Sequence, residues 1–436
     1  MDTTYRKHSL SLPGAIAMGT GVMVGAGIFA LLGQVAELAG PAFPLAFVVG
    51  GGVAGLSAYA YVKATRHNPS AGGIAMILSD AYGRTAVTAG AAVLMALSMV
   101  LNQALVARTF GTYLLRPFGI ESGAAVSGLA LALIAGSVVF NLARNQAISR
   151  MQIVGATVKI GGIAILAIAA IWGAGWTYAA GSEGLSGDAG PWSFVAASAL
   201  AILAFKGFTT ITNDGAELTN AERNVGRAII AALVICVALY ALVAVAAGSS
   251  LTISEIVAAQ DYSLAEAARP VLGNVGVIAT VIVAVLACAT GIVASMFALS
   301  RMLTMVVDMG MIPFRSFGMP GDARQQVLVY LGVLAAVLTV GLDLTGLATV
   351  GIIAYLVMDL VLQWGVLRRL RAEIQAHAGI VIAAIAADAV ALVAFVWARA
   401  QGQLTVVIGA AATVILVFAF EAWYLRRRPS DQAHDA

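Results

Sequence analysis

Twelve stretches of about twenty apolar residues follow one another along this chain, at 14–36, 41–62, 85–107, 123–141, 152–176, 192–213, 226–248, 275–300, 326–343, 345–366, 379–398 and 404–425. A helix rising about 1.5 Å per residue needs ~20 apolar residues to cross ~30 Å of hydrocarbon. Because a bilayer core offers no partner to an exposed backbone polar group, spans are helices or closed barrels, and runs this long exclude barrel strands. Only 10% of the 436 residues are charged against 61% hydrophobic, too little polar surface to coat a soluble domain of that size. The chain reads as an all-α, polytopic integral membrane protein.

Arg6, Lys7 and His8 precede the first run like the charged start of a signal peptide. No small-residue cleavage site follows, so this run is expected to be retained as a span. Cys236 and Cys288 fall inside apolar runs, where a free thiol behaves as a small apolar group. Orientation follows from the basic residues, which accumulate in short cytoplasmic loops. With the N-terminus inside, the inner loops receive Arg6, Lys7, Lys63, Arg66, Arg144, Arg150, Arg223, Arg227, Arg315, Arg324, Arg368, Arg369, Arg371, Arg426, Arg427 and Arg428. The outer side receives little beyond Arg116, Arg269 and Arg399, so both termini are expected in the cytoplasm, with the protein in the cytoplasmic membrane. The formal net charge of +3 is then topological and implies no nucleic-acid partner. No linker divides the chain, which reads as one membrane domain over 1–436. The loop 178–191 reads as a flexible outer connection, and 250–270 as helical and lying at the outer surface.

Two spans break the rules for spans. The first contains GTGVMVGAGIFALLG, residues 19–33, in which Gly19, Gly21, Gly25 and Gly27 each give up ~1 kcal/mol of helix preference relative to alanine. Close helix packing explains such glycines, and so does a deliberate break whose freed backbone groups bind a charged ligand. The sixth run, ALAILAFKGFTTITNDGAELTN at 199–220, places Lys206 and Gly207 in mid-helix. A charge there costs ~2.5–3.5 kcal/mol on insertion scales, which an ordinary packed span does not tolerate. Breaks in spans one and six are what an inverted repeat of five plus five helices produces. No residue-level similarity between the halves is visible.

These residues resemble the amino acid–polyamine–organocation family of transporters. Gly25-Ala26-Gly27-Ile28-Phe29 is similar to that family's G-[SA]-G-I-F. Ala204-Phe205-Lys206-Gly207-Phe208, followed by ITNDGAELTNAERNVGRAI (211–229), is similar to its F-x-G-F and following acidic, basic and proline pattern. Asn68-Pro69 with Gly72-Gly73, and Asp308-Met309-Gly310 with Pro313, extend the likeness to about residue 315. Within the family, Lys159 in GATVKIGGIAIL (155–166) is most similar to an archaeal proton-coupled amino-acid transporter. The chain departs from the pattern at Ala221 and Gly226, where prolines are usual, at Ala216, where an acid is usual beside Glu217, and at Lys206, usually apolar.

The resemblance implies the leucine-transporter fold with about twelve helices, a core of inverted repeats over 1–370 and two peripheral helices with the tail over 371–436. It implies that helices one and six are broken and that an amino acid, as zwitterion, binds between them. The N–H groups of Ala26, Gly27 and Ile28 are then expected to hold the carboxylate, as helix N-termini hold anions, with Gly25 allowing close approach. The carbonyls of Met23 and Val24, with Leu203 and Lys206 beside Gly207, are expected to take the ammonium. Phe208 and Asn102 are candidate walls, and Gln103 a weaker one. The Lys159 ammonium is expected beside the carbonyl of Gly21, where sodium-coupled relatives hold a cation. A lysine in such an apolar setting can release and regain its proton within a cycle. Transport is therefore expected to use protons rather than sodium, with a span-eight hydroxyl, Thr290, helping to solvate Lys159. Lys206 has two readings: it lines the cavity and selects acidic or small polar side chains, or it turns aside to a carbonyl or acid.

Asp359 of span ten is expected to serve an inner gate or pair with an arginine, and Asp388 and Glu421 to lie at interfaces. Asp214 and Glu217 are expected to meet Arg223 or Arg227 at the inner face, or to be a solvated pair there. An enzyme is not expected: His8, His67, His377 and His434 lie in tails and inner loops, and neither an HExxH nor a GxSxG sequence occurs. No cofactor or metal is expected; the partners are an amino acid, protons and membrane lipid. The alternatives to proton-coupled uptake are amino-acid exchange, amine or polyamine transport, and a substrate-sensing receptor.

Overall fold

The computed structural model describes residues 10–70, 72–143, 145–175, 177–181, 190–314 and 321–427, with the backbone alone at 26, 143 and 145–154. Arg6, Lys7, Arg144, Arg315 and Arg428, used above for orientation, lie outside the described residues, as do the Arg150 side chain and 182–189 of the outer loop.

The described chain is helical. Its elements are α1 (Leu12–Ala39), α2 (Phe43–His67), α3 (Ile74–Tyr82), α4 (Ala86–Leu115), α5 (Gly123–Ala143), α6 (Asn145–Gly173), α7 (Pro191–Phe205), α8 (Thr209–Asn213), α9 (Ala221–Ser250), α10 (Ile253–Ala259), α11 (Ser263–Asp308), α12 (Ala323–Gly341), α13 (Leu344–Gly365) and α14 (Ala378–Arg427). Among the described residues ten apolar segments are long enough to cross a membrane; Gly27–His67 joins the end of α1 to α2 and Ala378–Arg427 bends at Gln403, which gives twelve candidate crossings. Ile165, Trp172, Val275, Ile278, Ile415 and Leu416 are among the apolar side chains left on the outside, where lipid replaces a protein partner.

Helix α1 is the axis of the molecule. Ser11 caps its start by accepting from the Gly14 amide at 3.3 Å, and Pro13 sits in the first turn, where its missing N–H is harmless. It packs on α6, α7, α9 and α11, and most of its described side chains are buried. Leu10, just before it, exchanges backbone hydrogen bonds with Glu217 and Thr219 at 3.0 and 2.9 Å, tying the chain's start to the segment after α8.

The sixth span consists of α7 and α8 joined by a 3-10 turn over Lys206–Phe208. Carbonyls at such an interruption need other donors. Thr209 Oγ1 bonds the Lys206 carbonyl at 2.8 Å and Thr210 Oγ1 the Gly207 carbonyl at 2.7 Å.

The first span differs from expectation: α1 runs unbroken through Gly25, Ala26 and Gly27. The reason is packing. A Cβ on Gly25 would stand 2.6 Å from the Ala287 carbonyl oxygen and 2.9 Å from Gly291 Cα of α11, and one on Gly27 2.5 Å from Ala204 Cβ of α7. These glycines let α1 press into its neighbours while keeping its helical hydrogen bonds. Gly19 likewise faces Ile211 of α8, 2.5 Å from its would-be Cβ.

The helicity expected over 250–270 is present as α10, opened by a capping box between Thr252 and Glu255, which leads into α11; α11 bends at Gly273. Beyond α6, the Tyr178 hydroxyl donates to the Pro41 carbonyl at 2.6 Å and pins this loop to the α1–α2 turn. Burial pushes that phenol up to about 12, so it stays a neutral donor at ordinary pH.

Candidate functional site

The candidate site lies where α1 crosses the 3-10 turn of the sixth span. Gly207 sets the distance: a Cβ there would come within 2.7 Å of Met23 Cγ and 2.8 Å of the Met23 amide nitrogen. Met23, Val24, Ile28, Leu203 and Phe208 are all buried around this crossing. Leu203 also faces Gly351 of α13, its methyls 3.8 and 3.9 Å from a Cβ built there. The Phe208 ring meets Tyr61 of α2 edge-on, with centroids 5.3 Å apart.

The backbone groups assigned to the zwitterion are brought to this crossing but are engaged. In an unbroken helix the amides of Ala26, Gly27 and Ile28 bond to carbonyls one turn back, and the carbonyls of Met23 and Val24 accept from amides one turn on. Access to a carboxylate therefore requires this turn to unwind. From the α4 side, Asn102 is buried with its Oδ1 lacking a donor, and Gln103 donates through Nε2 to Ser295 Oγ of α11 at 3.1 Å.

The two intramembrane lysines reach different partners. Lys206 turns aside: its Nζ donates to the Ser98 carbonyl at 2.6 Å and to Ser98 Oγ at 2.9 Å. Ser98 Oγ in turn donates to the Gly351 carbonyl at 2.7 Å, so one chain of polar contacts joins the 3-10 turn, α4 and α13. Of the two readings of Lys206, the geometry matches the second, in which a backbone carbonyl takes the ammonium.

Lys159 of α6 is 1% exposed, and its Nζ donates to the Gly21 carbonyl of α1 at 2.9 Å. That carbonyl already serves the helix with one lone pair, and the ammonium takes the other. Cys236 of α9 and Cys288 of α11 are its titratable neighbours, and the Cys288 thiol also donates to the Gly25 carbonyl at 3.7 Å. Composition gave these thiols no role beyond filling space, and only their shared neighbour reveals them. Thr290 corrects an expectation: its hydroxyl donates at 2.7 Å to the Leu286 carbonyl of its own helix, and its methyl faces the fifth span at Gly155. A threonine mid-helix reaches the carbonyl one turn back more readily than a group across the interface.

On the face where α1 begins, Arg301 of α11 bridges Asp214, at 2.5 Å through Nη1, and Glu217 through Nη2. Sequence proximity points to Arg223 or Arg227, but both are exposed, and the partner comes from the eighth span instead. Arg301 also lies over the Phe297 ring, 4.8 Å from its centroid, as Arg324 does from α12. On the opposite face, Phe29, Tyr113 and Tyr262 form a run of ring contacts at 5.6 and 5.0 Å. The site is thus closed on both sides, by an ionic network at one and by aromatic packing at the other.

Comparison with known proteins gives concordant results. Residues 10–420 match the sequence profile described as amino acid permease. The chain is 29% identical over 416 residues to the inner membrane transport protein YbaT of Escherichia coli, covering 94% of this chain and 95% of that one. It is 27% identical over 259 residues to the vacuolar cationic amino acid transporter 2 of Arabidopsis thaliana, covering 55% of this chain and 40% of that one. Among solved structures, the manganese transporter of Eremococcus coleocola superposes with a TM-score of 0.64 over 98% of this chain and 99% of that one, at 11% identity.

Proposed function

The chain belongs to the amino acid permease family, as a multi-pass transporter and not an enzyme, and we propose that it takes up amino acids in symport with protons. Its leucine-transporter fold supplies the scaffold. The observation that carries the proton coupling is the buried Lys159 ammonium on the Gly21 carbonyl. The protonated amine puts a positive charge at that point and so removes the need for a sodium ion there. When Lys159 is charged, its attraction for the carbonyl dipole holds α6 to α1; when it gives up the proton, that attraction weakens and α1 is freer to move. Proton release and helix movement are thereby one event.

An amino acid is the substrate this crossing suits: a buried carboxylate or ammonium costs far more than a neutral polar group unless it is paired, and the Gly25–Ile28 turn carries donors for the carboxylate. In the closed form these donors are engaged within α1. Binding is an exchange in which the substrate carboxylate takes the amides of Ala26, Gly27 and Ile28 as the turn unwinds, while the carbonyls of Met23 and Val24 meet the ammonium. Leu203, Phe208 and Asn102 enclose the side chain. Lys206 acts as a tether of the 3-10 turn to α4.

The face carrying Lys63, Arg66, Arg324, Arg368 and Arg369 is assigned to the cytoplasm by its basic residues. The Arg301 network is then the cytoplasmic latch. Residues 1–370 carry the moving parts, with α14 as buttress. Uptake into liposomes of a panel of acidic, neutral and basic amino acids, with and without a pH gradient and sodium, tests the reading. Sodium-independent uptake of at least one amino acid, driven by an acid exterior, is expected; uptake that requires sodium or internal amino acid contradicts it.

A further inference from the structure

Away from the crossing, α2, α13 and α14 enclose a polar cluster that neither lysine touches. Asp359 of α13 and Asp388 of α14 are both 0% exposed and lie within hydrogen-bonding reach of each other. Neither forms an ion pair among the described residues. The groups facing them are neutral. From α2, the Tyr61 hydroxyl donates to Asp359 Oδ1 at 2.6 Å and Ser57 Oγ to Asp388 Oδ2 at 3.1 Å. From α13, Gln363 Nε2 donates to Ser57 Oγ at 3.0 Å and to Asp388 Oδ2 at 3.4 Å. Tyr355, also of α13, completes the titratable set around the two acids.

Each carboxyl is left with one buried oxygen that no protein donor reaches, Asp359 Oδ2 and Asp388 Oδ1. Two adjacent carboxylates in a medium without a counter-ion do not both ionise; such pairs hold at least one proton between them. A single proton on one of these oxygens serves the other as well, since a carboxylic acid donates to a carboxylate. The same proton brings the pair's charge from two negatives to one.

We propose that Asp359 and Asp388 form a proton-binding dyad, separate from Lys159 and joined through Tyr61 to the 3-10 turn of the sixth span. The link is physical. Tyr61 gives its hydroxyl to Asp359 and its ring edge to Phe208, the last residue of that turn. With one proton the dyad keeps a negative charge, and Tyr61 makes a charge-assisted bond to it. A second proton from water converts the remaining carboxylate to an acid, and the Tyr61 bond becomes an ordinary neutral one, roughly half as strong. Protonation of the dyad therefore loosens the hold of α13 on Tyr61, and Tyr61 is what packs on Phe208.

Infrared spectroscopy of the purified full chain in lipid vesicles at neutral pH reads the proton directly, whatever substrate is carried. The spectrum of Asp359→Asn/Asp388→Asn is expected to lack a protonated-carboxyl carbonyl band that the unaltered protein shows. Tyr61→Phe is expected to keep that band and shift its position, because one hydrogen bond to the pair is removed. The amide band of the same spectra reports folding, and if the double variant is unfolded the Tyr61→Phe shift decides. A carboxyl region unchanged in the folded double variant, or unmoved in Tyr61→Phe, overturns the proposal.

Discussion

The Lys159 ammonium donates to the Gly21 carbonyl over 2.9 Å, and this buried bond joins the fifth span to the glycine-rich first. Its neighbours in α1 are Met23, crossed by Gly207, and Gly25, pressed on α11. The Lys159 contact and the Gly207 crossing thus lie within two turns of one helix, and the variants below test the proposed roles of each separately.

Gly207→Ala puts a Cβ 2.8 Å from the Met23 amide nitrogen, a backbone atom that cannot swing aside. Overpacking of this kind costs ~1–3 kcal/mol. Thermal unfolding in detergent should show that loss together with strongly reduced uptake. Gly52→Ala, with nothing within 4 Å of its Cβ, should leave uptake unchanged and stability equal or slightly improved.

Lys206→Met removes a buried amine that is bonded to Ser98, not held out toward a substrate. Competition uptake with acidic, neutral and basic amino acids should give the same rank order of substrates and a lower maximal rate. A change of rank order toward basic amino acids would show that Lys206 selects the side chain.

Arg301→Gln leaves Asp214 and Glu217 without their shared cation in a largely buried place. Breaking a buried pair costs ~3–5 kcal/mol, whereas neutralising all of its members is far milder. The melting temperature of Arg301→Gln should fall clearly, and adding Asp214→Asn and Glu217→Gln should restore most of it. Equal instability in the triple variant would mean that the latch is held by packing alone.

The extent to which these features can be read in the sequence follows from what each depends on. The spans and the break at Lys206-Gly207 are local: apolar runs of membrane length, and a charge that has no place in one. The course of α1 is not local, because glycines that break a helix and glycines that admit a neighbour look alike, and only Ala287, Gly291 and Ala204 on other helices decide. The same holds for partners. Arg223 and Arg227 follow Asp214 and Glu217 closely, yet Arg301 reaches them from 87 and 84 residues away. Asp359 and Asp388 look like two isolated acids until α13 and α14 are side by side. A family likeness is enough to place Lys159 opposite Gly21, whereas its thiol neighbours depend on how α6, α9 and α11 pack together.

Uptake of a transported amino acid into liposomes containing either the unaltered protein or Lys159→Ala, with and without an inwardly directed proton gradient, addresses the coupling itself. The unaltered protein should be accelerated by the gradient, while Lys159→Ala should bind substrate and show the same residual uptake at any gradient. Full gradient dependence in Lys159→Ala would contradict the assignment of Lys159 as the coupling residue.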